Sequence, residues 1–235
     1  MSAQKQGFFA SLSSIFSGKK RAAPALYLPD PAVQPLECEE KEEVKAGFAG
    51  GKEYFLFAGD IHPRHQLPEL LKAFSQFKKW QRSEMKLLLA GRSTRRTASL
   101  EKLLETYKYR ADVIMIKNPE PGLLNRLIAA TYALVFTTSR EEFSPHILNA
   151  MQARAPVIST KTRCIYQVAG DSILYAQDKF VPGAPPAGPE MLARHLVTLY
   201  RDEGFRRDLI TKAAASVQSS GTPQRPAGKP PLTAE

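Results

Sequence analysis

Ser139-Arg-Glu-Glu-Phe-Ser-Pro-His-Ile-Leu-Asn-Ala-Met-Gln-Ala-Arg-Ala-Pro-Val-Ile-Ser159 decides how this chain is read. Just ahead of it, residues 133–138 (Ala-Leu-Val-Phe-Thr-Thr) are β-rich and nearly continuously apolar, the pattern of a parallel strand buried on both faces. Ser144 followed by Pro145 has the form of an N-cap with proline at the first helical position. The helix started there spaces Ile147, Leu148 and Met151 for burial. Pro156-Val-Ile then opens another apolar strand. A polar loop between a parallel strand and a helix is where open α/β sheets take ligands. The unpaired N–H groups of such a helix start suit an anion.

Outward from this stretch the same alternation repeats. Strands are expected at 54–58, 86–90, 112–116 and 172–175, and helices at 67–80, 99–107, 121–132 and 165–168. Two further helices are expected at 190–200 and 204–217. Strands alternating with helical periods predict an α/β fold: a Rossmann-like, doubly wound parallel sheet of about six strands, spanning residues 51–218. Residues 1–50 read as an N-terminal arm and linker, with Pro24, Pro29, Pro31 and Pro35 and one helical turn at 39–46. Residues 183–189 read as a structureless proline-rich connection, and 219–235 as a disordered tail.

Composition narrows the class. At 43% apolar and 24% charged, the chain can form an ordinary core. Cys38 and Cys164 are too few and too far apart for a disulfide framework, and with His62, His65, His146 and His195 they show no zinc-ligand spacing. A reduced, cytoplasmic protein without metal or cofactor is expected. The net charge of +10 leaves a phosphorylated ligand, an anionic membrane surface and nucleic acid open. No nucleic-acid motif accompanies the basic group Lys78, Lys79, Arg82, Arg92, Arg95 and Arg96, so nucleic acid is the least favoured. No run approaches the roughly 18 apolar residues needed to span a bilayer. Phe8, Phe9, Leu12, Ile15 and Phe16 recur at helical spacing before Lys19, Lys20 and Arg21. A peripheral membrane anchor and a disordered arm, or the last helix of an upstream domain, are both open readings. Dinucleotide, phosphate-loop, nucleophile-elbow and zinc-protease motifs are absent.

The 139–159 stretch resembles the donor-site signature of retaining glycosyltransferases of the two-domain GT-B fold, in family 4, the glycosyl transferases group 1. That signature is Glu-x7-Glu before a Pro-Val-Ile strand. Glu141 matches the first glutamate and Phe143 the usual aromatic, while the second glutamate falls on Asn149. Residues 54–74 resemble the first strand, glycine turn and helix of the C-terminal domain, where the family writes Gly-Arg-x4-Lys. Here Gly59 stands at the glycine, Asp60 at the arginine and His65 at the lysine, with Arg64 adjacent as a partial substitute. The resemblance implies a nucleoside-diphosphate sugar donor and hexose transfer with retention, without metal or cofactor. It implies Glu141 as the catalytic carboxylate beside the donor sugar. Gly59, Asp60, Arg64, His65, Phe143, Ser144 and Asn149 would surround the donor.

Simpler readings stand beside these roles. Glu141 could be a solvated loop carboxylate, Ser144 a helix cap, Asn149 an exposed mid-helix residue, and Arg92 and His146 surface residues. A GT-B enzyme closes its cleft with a second domain of roughly 100 residues or more. Fewer than that precede Tyr54, so the chain is expected to be the donor half, completed by a separate acceptor-domain protein. The alternative, motivated by Asp60, His65 and Asn149, is a catalytically impaired pseudo-glycosyltransferase acting as an interaction module.

Overall fold

A computed structural model describes residues 27–178 and 188–220. The expectations for residues 8–16 and 19–21, for 183–187 and for 221–235 lie outside the described residues.

Six strands form one parallel sheet in the order β3-β2-β1-β4-β5-β6. They are β1 (Tyr54–Ala58), β2 (Lys86–Gly91), β3 (Val113–Lys117), β4 (Ala133–Phe136), β5 (Val157–Lys161) and β6 (Leu174–Asp178). The helices are α1 (Cys38–Ala49), α2 (Leu67–Gln81), α3 (Thr97–Glu105), α4 (Pro121–Ala130), α5 (Pro145–Gln152), α6 (Arg163–Ala169), α7 (Pro189–Arg201) and α8 (Glu203–Ser220). The chain winds outward from β1 to β3, then returns to lay β4 against the other side of β1. The crevice at that reversal is where doubly wound sheets bind ligands, outside the strands' carboxyl ends.

The central position of β1 explains its composition. All five residues of Tyr-Phe-Leu-Phe-Ala are buried, because helices cover both faces and strands flank both edges. Phe55 meets Phe77 of α2 edge-on at 5.1 Å. This pair joins sheet to helix with about 0.5–1.5 kcal/mol beyond the burial of its area. On α2, Leu67, Leu70, Leu71, Phe74 and Phe77 are all buried, as their helical spacing predicts.

Several boundaries move for local reasons. Asp112 belongs to a 3-10 turn before β3, where its carboxylate bonds Lys86 at 2.6 Å and Lys78 at 2.9 Å. Helix α4 ends at Ala130 because Thr131 turns extended and donates its hydroxyl to the Tyr54 carbonyl at 3.1 Å. Strand β4 stops at Phe136, and the buried Thr137 and Thr138 already belong to the loop.

The linker reading of residues 1–50 needs a larger correction. Residues 38–49 form a twelve-residue helix, not one turn, and it packs on α4. Glu37 and Glu40 close a capping box at its start, and Gly50, at φ 61°, ends it. Val33, Val44 and Ala49 lie in the core. The sequence concealed this helix because Val44 is embedded in charged residues, one of which, Lys45, is itself buried between Glu42 and Glu53.

Candidate functional site

Two glycines shape the strand ends. Gly59 follows β1 and Gly91 ends β2, with φ of 155° and 156°. Their backbones pass so closely that a Cβ on Gly91 would lie 1.7 Å from the Gly59 carbonyl oxygen. No side chain fits at Gly91. The contact is secured by the Gly59 N–H bonding the Ala90 carbonyl at 3.1 Å and the Asn118 N–H bonding the Gly91 carbonyl at 2.8 Å.

Beside Gly59, Asp60 anchors a network of charged side chains. Asp60 accepts from Arg92 at 2.8 and 3.0 Å and from Arg64 at 2.7 Å. The Arg92 hydrogen bond holds the Asp60 carboxyl below the usual carboxylate range, and Asp60 in turn pushes the Arg92 guanidinium up. Arg64 also lies 3.4 Å from Glu142 and donates its Nε–H to His65 Nε2 at 3.2 Å. On its other side His65 Nδ1 sits 3.2 Å from the Thr137 carbonyl. A guanidinium can only donate and a carbonyl can only accept, so His65 is assigned as the neutral tautomer with its proton on Nδ1. Burial pushes its pKa down, against the pull of Glu142 at 3.6 Å. Two guanidiniums thus face two carboxylates. A diphosphate entering here must displace a carboxylate from an arginine.

The loop after β4 divides its two carboxylates. Glu142 accepts the Thr138 hydroxyl and meets Arg64 and His65 in the 3-10 turn before α2. Glu141 turns the other way, and its Oε1 accepts the Cys164 N–H at 2.9 Å in the first turn of α6. Ser144 does occupy the N-cap position of α5, but its buried side chain makes no capping bond.

Residues 27–33 cross α5 as a strap. The Tyr27 ring packs 4.3 Å from Phe143. Asn149 is buried rather than exposed, and its Oδ1 accepts the Asp30 N–H at 2.9 Å. Asn125 donates to the Asp30 carboxylate at 3.1 Å, and Gln152 reaches the Asp30 and Val33 carbonyls at 3.1 and 2.5 Å. The structure therefore gathers Gly59, Asp60, Arg64 and His65 with Glu142. It gives Glu141, Phe143 and Asn149 partners within the chain.

The other side of the crevice is open. A cleft of about 440 Å³ lies at the carboxyl ends of β1, β2 and β3. Gly59, Asp60, Gly91, Arg92, Asn118, Pro119, Leu124 and His146 line it. His146 is half-buried: burial pushes its pKa down, and its Nδ1 has no hydrogen-bond partner among the described residues. Asn118, at φ 50°, holds the loop after β3 by accepting the Ser93 N–H at 2.9 Å. The Asn-Pro pair there is a turn signal that could have marked it. Nothing in the sequence distinguished His146 from a surface histidine. Among the described residues there is no group of three or more His, Cys, Asp or Glu able to hold a metal. Likewise, no described helix is long and apolar enough to cross a membrane.

This sheet and crevice define a Rossmann-like domain of the kind that forms the C-terminal half of GT-B glycosyltransferases. Residues 39–216 match the family model for glycosyl transferases group 1, and the chain belongs to that family. Among solved structures it is similar to WaaG, a glycosyltransferase involved in lipopolysaccharide biosynthesis (TM-score 0.67, 17% identity, 82% of this chain and 50% of that one). It is similar to the C-terminal domain of LpcC, a glycosyl transferase group 1 protein from Francisella tularensis (TM-score 0.67, 18% identity, 82% of this chain and 97% of that one). It also resembles Anabaena HepE in complex with UDP-glucose (TM-score 0.65, 15% identity, 83% of this chain and 50% of that one). The chain thus spans about half the length of WaaG and HepE. No curated protein matches the sequence.

Proposed function

We propose that this domain binds a nucleoside-diphosphate sugar at the crevice. Completed by an acceptor domain, it would transfer a hexose with retention. The observation that carries the reading is the open cleft at the ends of β1–β3, floored by two glycine backbones and edged by Arg92, Asn118 and His146. A cleft of this size at a strand-order reversal suits a nucleoside, and the similar Anabaena structure holds UDP-glucose. On this reading the diphosphate lies toward Arg92 and Arg64. Glu141 would leave the Cys164 N–H to accept the sugar hydroxyls, with no metal or further cofactor. Calorimetric titration with UDP-, GDP- and ADP-sugars is the test. Saturable binding of one of them supports the reading, and no heat from any at millimolar concentration refutes it.

A second reading, a catalytically impaired pseudo-glycosyltransferase serving as an interaction module, is favoured by one observation. Arg64 and Arg92 are already paired with Asp60 and Glu142. Hexosyl transfer by the full chain, with or without an added acceptor domain, would eliminate this second reading.

A further inference from the structure

The extended segment after β1 separates two surroundings. Asp60 faces the polar crevice, and the next side chain, Ile61, enters a different hollow of about 310 Å³. This alternation is what extended backbone imposes, and the Ile61 N–H bonded to the Arg92 carbonyl at 2.9 Å fixes it. Ile61, Leu67 and Leu100 form a buried floor, and Pro63, Pro68 and Leu103 form the walls. The Thr94 and Thr97 hydroxyls both donate to the Ile61 carbonyl, at 2.8 and 3.3 Å, locking the loop to the start of α3. Pro63 begins a 3-10 turn and Pro68 the first turn of α2, so both walls are stiff. The hollow is therefore formed in advance of any ligand, which lowers the entropy cost of filling it.

Beside the neutral Ser99 hydroxyl and the His62 ring, the charge at its edge is positive. No carboxylate lines it. Arg96 stands at its mouth, exposed, with its guanidinium in no ion pair among the described residues. Arg95 beside it is also exposed. An apolar interior under an unpaired guanidinium matches an apolar body carrying an anionic head. We propose that this hollow, distinct from the donor crevice, binds a small amphiphilic anion: an acyl or alkyl chain ending in a carboxylate or phosphate. The alkyl part rests on Ile61, Leu67, Leu100 and Leu103, and the head bonds Arg96.

The proposal does not depend on donor binding, and its test uses the full chain without nucleotide. Octanoate, octyl phosphate and octanol are titrated calorimetrically at concentrations below micelle formation. The two anions distinguish a carboxylate from a phosphate head, and the alcohol reports the apolar part alone. The expected result is saturable binding of at least one anion, tenfold or more tighter than octanol. Leu103→Glu should then weaken that anion at least tenfold, and Arg96→Ala should bring it down to the octanol level. Leu103 is on the surface of α3 and the Arg96 side chain makes no described contact, so both variants should fold, which circular dichroism checks. No binding of either anion overturns the proposal. So does octanol binding as tightly as the anions, or anion binding that neither substitution changes.

Discussion

The two sides of the crevice are built differently. On the β1–β3 side, Gly59 and Gly91 meet as bare backbone, and the cleft beyond them is open, with the Asp60–Arg92 pair at its edge. On the β4–α5 side, the polar side chains Glu141, Glu142 and Asn149 have found partners within the chain. Glu141 holds the start of α6, Glu142 meets Arg64 and His65, and Asn149 holds the strap. The difference teaches that a ligand-shaped backbone can persist while the polar groups around it satisfy one another. On the proposed reading, the nucleoside end would be the accessible part of a donor, and the sugar end the part that must compete with existing bonds.

The largest expected effect breaks the backbone side. Gly91→Ala forces a Cβ into the Gly59 carbonyl and should destabilise the fold by about 3 kcal/mol or more, among the larger effects single substitutions produce. Gly122→Ala is the contrast: Gly122 lies in α4 with nothing within 4 Å of an added Cβ. It should stabilise by about 0.5–1 kcal/mol, since alanine is the better helix former. Urea unfolding of the two variants measures both.

The next effect concerns the arginines paired with Asp60. Asp60→Asn releases Arg64 and Arg92 from their shared carboxylate. Affinity for a nucleoside diphosphate should rise about tenfold, equivalent to roughly 1.4 kcal/mol, at a small loss of thermal stability. Unchanged affinity in calorimetry would show that this network does not limit the site.

Acidity tests the histidines, of which His65 is buried and His146 and His195 are half-buried. Burial lowers the pKa values of His65, His146 and His195 in the folded protein. The unfolded chain therefore takes up protons first as pH falls below about 6.5. Stability should be level above neutrality and decline as pH drops through that value, followed by thermal melts. Asp60, held low by Arg92, adds a loss only below about pH 4. A modest effect is expected at the strap: Asn149→Ala leaves the Asp30 N–H unpaired and should cost about 1 kcal/mol in urea unfolding.

The sheet was legible because parallel strands buried on both faces must be apolar runs, and 54–58, 86–90 and 133–136 are such runs. Helix α1 was not, because its inward residues are too few to make a stripe. The site was half legible. Glycines and carboxylates could be placed from their order along the chain, but not the partners they take. The turn of Glu141 toward Cys164, the pairing of Asp60 with Arg92 and the strap on Asn149 are contacts across 23, 32 and 119 residues of sequence. Such separations leave no local pattern to read.

The most direct test of the account is titration of the unaltered chain with UDP, GDP and ADP beside their sugar conjugates. If the open side carries recognition, one base binds saturably, and its nucleoside diphosphate binds within a few-fold of its sugar conjugate. If none of the three bases binds at millimolar concentration, or if affinity appears only when the sugar is present, the division between an open nucleoside side and a self-paired sugar side is wrong.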